Sequence, residues 1–165
     1  MLAISNTSPI LNLAIIEELS LLKDQFNVVL IPEAVLDELR IETNLPGSQG
    51  VRNAMKAGWI RVVPVKQEPL VRALQRDLDK GEAEAIALAI QKNAEWVLMD
   101  EREGRKAARS MELKVVGVLG VLLKAQHEGR LRSLRQAMDN LRIKAGFYIQ
   151  EDLYNSILQE GDREK

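Results

Sequence analysis

Short apolar runs alternate along the chain with longer segments whose apolar residues recur at helical spacing. The runs, which read LAIS, VVLI, WIRVVPV, WVLM and KVVGV, have the composition of strands. Because strands separated by helical segments form βαβ units, this order predicts a parallel sheet. Pro64 cannot donate a ladder hydrogen bond, so the third run is expected at an edge of the sheet or to end near the proline.

The segments between the runs predict the helices that flank this sheet. One predicted helix reads ILNLAIIEELSLL, with Thr7 or Ser8 as its cap and Pro9 in its first turn. Gly81 is expected to separate the helix LVRALQRDLDK from the helix EAEAIALAIQKN. Further helices are predicted at EAVLDELR, VRNAMKAG, DEREGRKAARSME, LGVLLKAQHEG, LRSLRQAMDNLRIKAG and in the C-terminal tail. The pattern therefore indicates an α/β fold.

Length and composition fit one compact domain. A chain of 165 residues with 46% hydrophobic content can bury a substantial core. We assign residues 1–160 to a single domain and 161–165 to a frayed tail. The chain has no cysteine, which excludes disulfides, thiolate zinc sites and a cysteine nucleophile. The single histidine, His127, is a poor basis for a catalytic triad or a zinc site and is expected to be solvated at a helix end.

Charge and the N-terminal pattern limit the partners and the location. The 23 basic and 24 acidic residues nearly cancel, so nucleic-acid binding would require a local basic patch. The N-terminus lacks the pattern of a signal peptide, and no apolar run approaches membrane-spanning length. We therefore expect a cytoplasmic protein that does not enter a membrane.

Isolated carboxylates and one amide lie where apolar runs end or helices begin: Asn6, Glu38, Glu82, Asp100 and Glu101. The carboxyl ends of parallel strands share one edge, and open α/β sheets bind their ligands there. Acidic groups that meet at this edge would repel one another unless a cation lay between them. Oxygen ligands are those that Mg²⁺ and Mn²⁺ prefer. The sequence thus predicts a divalent-metal site and, through it, hydrolysis of a phosphodiester.

Each of these residues also has a purely structural interpretation. Asn6 can cap the first helix or shape its turn, and Glu38 can be a solvated helix residue. Glu82 and Glu84 can favour a helix N-terminus, and Asp100 can cap the helix that follows WVLM. Because neighbours on a helix are three or four positions apart, only one of Glu82 and Glu84 is expected to face the site. Glu82, in the first turn, is the first choice and Glu84 the reserve.

Basic residues follow the Asp100 edge, namely Arg102, Arg105, Lys106 and Arg109. They offer salt-sensitive, sequence-independent contacts to a phosphate backbone. The competing interpretation is a solvated face that balances Glu101, Glu103 and Glu112. The aromatic residues lie in apolar settings suited to a core or an interface, so base stacking is poorly supplied.

Four segments in a fixed order resemble the PIN-domain superfamily: ISNTSPILNLA, IPEAVLDEL, GEAEAIALA and VLMDEREGRKAARSMELKVVGVLGVLL. More closely, they are similar to the DUF3368 branch of VapC-like proteins, from the first strand to about Leu123 and less distinctly to GFYIQEDLYNSIL. The resemblance implies a Rossmann-like, three-layer α/β/α domain whose acidic pocket binds magnesium or manganese and cleaves RNA. Many such proteins are toxins restrained by a small antitoxin, and many are dimers.

The resemblance also implies roles for individual residues. Carried over by position, the family's acidic residues fall on Asn6, Glu38, Glu82 and, last, either Asp100 or Glu101; the metal ligands expected are Asn6, Glu38, Glu82 and Asp100. Thr7 or Ser8 matches the hydroxyl beside the first acid, so Ser8 joins Arg102, Arg105 and Lys106 as an expected substrate-binding residue. Asn6 departs from the family pattern, because its amide is neutral where the family has a carboxylate. This change should weaken cation binding and slow or abolish cleavage.

Two functions follow from these observations. The first is a metal-dependent endoribonuclease, acting on RNA with Mg²⁺ or Mn²⁺ as the toxin component of a type II toxin–antitoxin system. The alternative, which Asn6 favours, is a catalytically weakened or inactive PIN-like module that binds RNA or a protein partner. A nucleotide-binding regulator is disfavoured, because no G-x-G-x-x-G or Walker-type loop follows a strand. The expected partners are RNA, an antitoxin protein and a second copy of the chain in a homodimer.

Overall fold

The computed structural model describes residues 1–163. Its strands are β1 (Leu2–Ser5), β2 (Val28–Ile31), β3 (Ile60–Val62), β4 (Trp96–Leu98) and β5 (Lys114–Val116). They form one five-stranded sheet in the order β3-β2-β1-β4-β5, and every pair is parallel. The third strand lies at an edge and ends before Pro64, which confirms the position predicted from the proline.

Helices cover the two faces of this sheet in the described part of the chain: α1 (Thr7–Ile15), α2 (Ser20–Phe26), α3 (Glu33–Leu39), α4 (Ser48–Ala57), α5 (Glu68–Leu74), α6 (Lys80–Lys92), α7 (Arg102–Ser110), α8 (Val118–His127), α9 (Leu134–Ile143) and α10 (Glu151–Gly161). The predicted three-layer α/β/α architecture with a central parallel sheet is confirmed. None of the helices formed by residues 1–163 is long and apolar enough to cross a membrane.

The two faces of the sheet carry separate parts of the core. Successive strand residues point to opposite faces, so Ala3 and Val29 belong to one cluster and Ile4 and Leu30 to the other. The first cluster includes buried residues of α1, α2, α8, α9 and α10. The second includes much of α6 together with Ala108 of α7. The sheet is therefore buried on both faces, as parallel sheets usually are.

The single helix predicted at ILNLAIIEELSLL is wrong, because the chain forms two helices there. Glu17 adopts a left-handed conformation (φ 61°) and ends α1. The Glu18 N–H donates to the Leu13 carbonyl and the Glu17 N–H to the Ala14 carbonyl, at 2.8 and 3.1 Å. These two hydrogen bonds form a Schellman motif. A glutamate at the left-handed position lacks the glycine that usually reveals this motif in a sequence.

The start of α6 also differs from the prediction. Gly81 does not separate two helices but lies in the first turn of α6, while α5 ends at Leu74. The helix begins at a capping box: Asp79 Oδ1 accepts a hydrogen bond from the Glu82 N–H at 2.8 Å, and Glu82 Oε1 accepts one from the Asp79 N–H at 3.0 Å. The two side chains thereby satisfy the backbone N–H groups of Asp79 and Glu82, which have no partner within the helix.

The cap of α1 is one of the alternatives that the sequence left open, and the cap of α7 is not the Asp100 that the structural interpretation offered. Asn6, not Thr7 or Ser8, occupies the N-cap position of α1, without a side-chain hydrogen bond to the helix. Glu101 occupies that position in α7, and Asp100 instead accepts a hydrogen bond from the Val118 N–H at the start of α8, at 2.9 Å.

The C-terminal half departs from the sequence analysis at one contact. His127 is only partly exposed, and its Nε2 lies 2.8 Å from the Glu160 carbonyl of α10, so the expectation of a solvated histidine is wrong. The predicted tail 161–165 begins at Gly161, which is buried at the end of α10. Residues 164 and 165 lie outside the described part of the chain.

Candidate functional site

A cleft of about 580 Å³ lies at the carboxyl edge of the sheet. Asn6 enters it directly from β1, and its N–H donates to the Leu98 carbonyl at 2.9 Å, which ties the ends of β1 and β4 together. The α3, α6 and α7 segments supply the acidic side chains. The cleft is lined by Asn6, Thr7, Ser8, Leu11, Asn12, Glu38, Asp77, Asp79, Glu82, Glu101, Arg102 and Glu103.

Asn6 and Glu38 meet at the first turn of α6. A Cβ atom added to Gly81 would collide with Glu38 Oε1 and would lie 3.2 Å from Asn6 Oδ1. Two side-chain oxygens, one from the residue after β1 and one from α3, therefore approach the same turn of the helix. Only a residue without a side chain lets α6 approach them this closely. Gly81, which the sequence suggested as a helix breaker, instead makes room for the carboxylate of Glu38.

The environment of Glu38 disfavours its charged form. Partial burial raises the pKa of the Glu38 carboxyl, the negative charges of Asp79 and Glu84 raise it further, and a hydrogen bond with the Thr7 side chain acts in the opposite direction. A carboxylate with a raised pKa beside other carboxylates is a group whose charged form a cation would stabilise.

Glu82 is the most enclosed carboxylate of the cleft, with 7% of its surface exposed. Burial raises its pKa, although the hydrogen bond from the Asp79 backbone acts in the opposite direction. The charges of Asp79, Glu101 and Glu38 add to the increase, so these side chains share one electrostatic environment. Glu84, the reserve choice, points elsewhere: its Oε1 accepts a hydrogen bond from the Ala34 N–H at 3.2 Å.

Asp100 and Glu101 are adjacent in the chain but differ in environment. Glu101 is exposed and lines the cleft, whereas Asp100 does not line it. Burial raises the pKa of Asp100 to about 6, against the hydrogen bond from Val118 and the nearby Arg105. Asp100 Oδ2 is buried and has no hydrogen-bond partner among residues 1–163. The structure thus brings Asn6, Glu38, Glu82 and Glu101 to one cleft and leaves Asp100 behind it.

The expected substrate-binding residues are also divided between the cleft and other positions. Arg102 and Ser8 line the cleft, and Ser8 Oγ accepts a hydrogen bond from Asn12 Nδ2 at 3.1 Å. Arg105 turns inward: its guanidinium donates to the Met99 carbonyl at 3.0 Å and lies near Asp100. Lys106 is exposed on α7 and does not line the cleft.

The structure adds residues that the sequence analysis did not name. Asp77, Asp79 and Asn12 line the cleft. Asp79 had a signal in the sequence, because Asp followed three positions later by Glu is the pattern of a capping box. The other two carry no pattern of their own. Thr7, which the sequence analysis offered as a helix cap and as the hydroxyl beside the first acid, is partly buried and lies close enough to Glu38 to lower the pKa of that carboxyl.

The donor chemistry of the cleft fits a hard divalent cation. Within residues 1–163, no group of three or more His, Cys, Asp or Glu side chains is arranged to hold a metal ion by itself. Mg²⁺, however, usually keeps several waters and takes only one or two carboxylates directly. The oxygens of Glu38 and Asn6, which approach the same turn of α6, offer ligands of that kind, and the Thr7 hydroxyl lies beside Glu38.

Comparison with known proteins identifies the family. No curated protein matches the chain. The family model DUF3368, described as a PIN domain, matches residues 2–163 and so covers all but the ends of the sequence. PIN domains are generally nucleases, which supports a hydrolase of nucleic acids and agrees with an acidic cleft at the carboxyl edge of the sheet. The chain belongs to the DUF3368 family of PIN domains.

Proposed function

We propose that this protein is a divalent-metal-dependent endoribonuclease. The observation that carries the proposal is the cleft that is lined by side chains from four separate chain segments, those of Asn6, Glu38, Glu82 and Glu101. Burial raises the pKa values of Glu38 and Glu82, and neighbouring carboxylates raise them further. A bound cation would relieve the repulsion between these carboxylates. It would also activate water for attack on phosphorus, so the reaction requires no protein nucleophile.

In this proposal the residues divide the work by their chemistry. Mg²⁺ or Mn²⁺, when bound, polarises the scissile phosphate and activates a water molecule for attack. Glu38 and Glu82 provide negative charge to hold the cation, and Asn6 adds a neutral oxygen. Glu101 is the acidic group at the end of β4 that lines the cleft. Among residues 1–163, Arg102 is the only cationic residue that lines the cleft, and in this proposal it contacts a substrate phosphate.

Asp100 takes a different role in the proposal. Its Oδ1 holds the first N–H of α8, and its carboxylate lies beside the guanidinium of Arg105. Asp100 therefore acts as a positioning residue that fixes the chain just before Glu101. The expectation that Asp100 ligates the metal is replaced by the proposal that Glu101 is the last acidic group of the cleft.

The experiment compares two glutamates of the same helix. Glu82→Gln removes the enclosed carboxylate of the cleft, and Glu84→Gln is its matched control, because Glu84 does not line the cleft. With single-stranded RNA and Mn²⁺, we expect Glu82→Gln to lower the cleavage rate at least 100-fold and EDTA to abolish cleavage. Glu84→Gln should retain the wild-type rate within a few-fold. Cleavage that survives both EDTA and Glu82→Gln would refute the proposal.

A second function is supported by one residue. The buried Asn6 amide replaces a carboxylate of the family pattern, and the loss of that charge favours a weakened or inactive module that binds RNA or a protein. Asn6→Asp separates the two functions in the same assay. A gain in Mn²⁺ affinity and cleavage marks a weakened nuclease, whereas no change in either quantity supports a binding role.

The biological setting is a further part of the proposal. The likeness to VapC-like proteins supports the toxin component of a type II toxin–antitoxin system, with an antitoxin protein as partner and a homodimer as the assembled state. Co-expression with the gene that lies next to it tests this setting, because a toxin should inhibit growth alone and not when its antitoxin is present.

A further inference from the structure

The cleft is a poor place to hold a polyanion by itself. Six carboxylate residues line it, Glu38, Asp77, Asp79, Glu82, Glu101 and Glu103, and the single cationic residue is Arg102. At close range these charges repel a phosphate backbone. A polyanionic substrate must therefore be attracted mainly by cations outside the cleft. Those cations must lie close enough to the cleft for a bound nucleic-acid strand to reach it.

One surface next to the cleft has the required charge. Arg102, Lys106 and Arg109 are exposed on α7, and their spacing of four and then three residues puts them on one side of the helix. Arg102 belongs both to this row and to the cleft wall. The row extends over seven residue-to-residue steps, which is about 10 Å along the helix axis. We call these three residues the α7 basic row.

The α7 basic row is not neutralised by the protein. The salt bridges formed by residues 1–163 join Lys80 to Glu84, Arg130 to Asp24, Arg142 to Glu151 and Arg163 to Glu160, and none of them involves the row. The sequence offered Glu101, Glu103 and Glu112 as balancing charges, but no carboxylate lies within 4.0 Å of a row cation in the described part of the chain. Three exposed cations on one helix face therefore remain available to an anion.

Arg105 is basic and lies on α7, but it does not belong to the α7 basic row. It lies next to Lys106 in the sequence, yet its guanidinium hydrogen-bonds the Met99 carbonyl and lies beside Asp100. Arg105 thus anchors the inner side of the helix, while Ala108 is buried against the sheet. The outer side carries only the row and other exposed residues.

We propose that the α7 basic row binds the phosphodiester backbone of a single-stranded nucleic acid and leads it past Arg102 into the cleft. Charge complementarity and continuity with the cleft select this occupant. A cleft of about 580 Å³ is of the size that holds a small ligand, which fits the entry of one strand. The inference rests on the proposed function, because that function is the reason for the nucleic acid to enter the cleft. Binding along the row does not itself require cleavage.

The test measures binding in the absence of cleavage. A fluorescein-labelled single-stranded RNA of ten 2′-O-methyluridines is titrated with protein in EDTA, at salt concentrations between 50 and 200 mM. The variant is Lys106→Gln/Arg109→Gln. Its matched control is Lys56→Gln/Lys92→Gln, which also removes two exposed charges. These lysines lie in the last turns of α4 and α6, just before β3 and β4, and so at the amino ends of the strands, away from the cleft.

The expected result is a change in affinity that depends on salt. Each phosphate contact to a single strand contributes about 0.7 to the slope of log affinity against log salt, so the row variant should lower the slope by about 1.4. Between 50 and 200 mM salt, wild type should therefore lose about sevenfold more affinity than the row variant. The control variant should keep the slope of wild type.

Three outcomes would overturn the inference. The first is no binding of the RNA at 50 mM salt, and the second is an equal loss of affinity in the row and control variants. The third is a polyglutamate peptide of equal charge that binds the row as tightly as the RNA, which would indicate an acidic protein partner. If the row variant loses binding while the wild type fails to cleave RNA with Mn²⁺, the row stands and the proposed nuclease activity falls.

Discussion

Two helices that start at the same edge of the sheet, α6 and α7, are built in opposite ways. Most of the residues between Gly81 and Ala89 in α6 are buried, whereas in α7 only Gly104 and Ala108 are. The first helix begins with a capping box, and the second begins at Glu101 without a side-chain cap. A helix that is apolar on most sides is held by the core all round, and a helix with one small apolar side is held along that side alone.

The two helices therefore make different contributions to the site: one fixes the positions of its side chains, and the other supplies charge that attracts an anion. Because α6 is enclosed, its first turn is fixed against Glu38 and Asn6, and its own Glu82 is kept in a place where burial disfavours its charge. Because α7 is exposed, its cations stay hydrated and free to meet a ligand. The buried helix therefore sets the positions of the oxygens in the cleft, and the exposed helix supplies charge that brings an anion to them.

The largest expected effect comes from adding one methyl group to α6. In Gly81→Ala, the new Cβ collides with Glu38 Oε1 and forces the carboxylate to move. Because a misplacement of about 1 Å can cost about 10²-fold in rate, we expect a loss of that size in RNA cleavage with Mn²⁺. Calorimetric titration should show weaker Mn²⁺ binding by the same variant.

Gly50→Ala is the control for this substitution. Gly50 also lies within a helix, α4, but its added Cβ would meet only Ala14 Cβ at 4.0 Å. Alanine is the better helix former by about 0.5–1 kcal/mol, so Gly50→Ala should raise the unfolding temperature without changing activity. If Gly81→Ala cleaves RNA at the rate of the control, the close approach of α6 does not set the site.

The second prediction concerns the start of α7 and is smaller. Burial raises the pKa of Asp100 from 3.8 to about 6, so the folded state binds this proton more tightly than the unfolded state. Stability from Asp100 is therefore present at low pH and is lost as the pH rises from about 4 through about 6. Relative to Asp100→Asn, the wild type should gain on the order of 2–3 kcal/mol in unfolding free energy between pH 7 and pH 4.

Urea unfolding at pH 7, 6, 5 and 4 measures this difference. The control is Glu128→Gln, which removes an exposed carboxylate just after α8. Its unfolding free energy should follow that of the wild type at each pH. If the unfolding free energy of Asp100→Asn also follows that of the wild type at each pH, then burial does not raise the pKa of Asp100 in the folded protein.

The strands, the sheet type and the edge position of β3 could be predicted because each depends on local properties. β-Branched runs form strands, alternation with helices makes the sheet parallel, and Pro64 ends a strand whatever surrounds it. The clustering of Asn6, Glu38 and Glu82 followed from the sheet edge. The break between α1 and α2 could not be predicted, because Glu17 adopts a left-handed conformation that glutamate seldom takes.

The site was harder to predict where neighbouring residues diverge. Asp100 and Glu101 follow the same strand, and which of them faces the cleft depends on the start of α8, 18 residues after Asp100. Arg105 and Lys106 are both basic, and the rotation of α7 about its axis decides which of them faces the sheet. Arg105 does so, and it donates to the Met99 carbonyl. Sequence spacing gives the set of candidates, and packing between distant segments selects among them.

The smallest expected effect tests whether the capping box of α6 serves the cleft as well as the helix. Asp79→Ala removes the side chain that accepts the Glu82 N–H, and Ser133→Ala removes the corresponding acceptor for Gln136 at the start of α9. Each should cost about 1 kcal/mol in urea unfolding, the usual value for an N-cap. Only Asp79→Ala should also weaken Mn²⁺ binding, because Asp79 lines the cleft and its carboxylate holds the backbone N–H of Glu82. Equal Mn²⁺ affinity in the two variants would mean that the buried helix keeps its oxygens in place without this box, and that Gly81 alone sets how closely α6 approaches them.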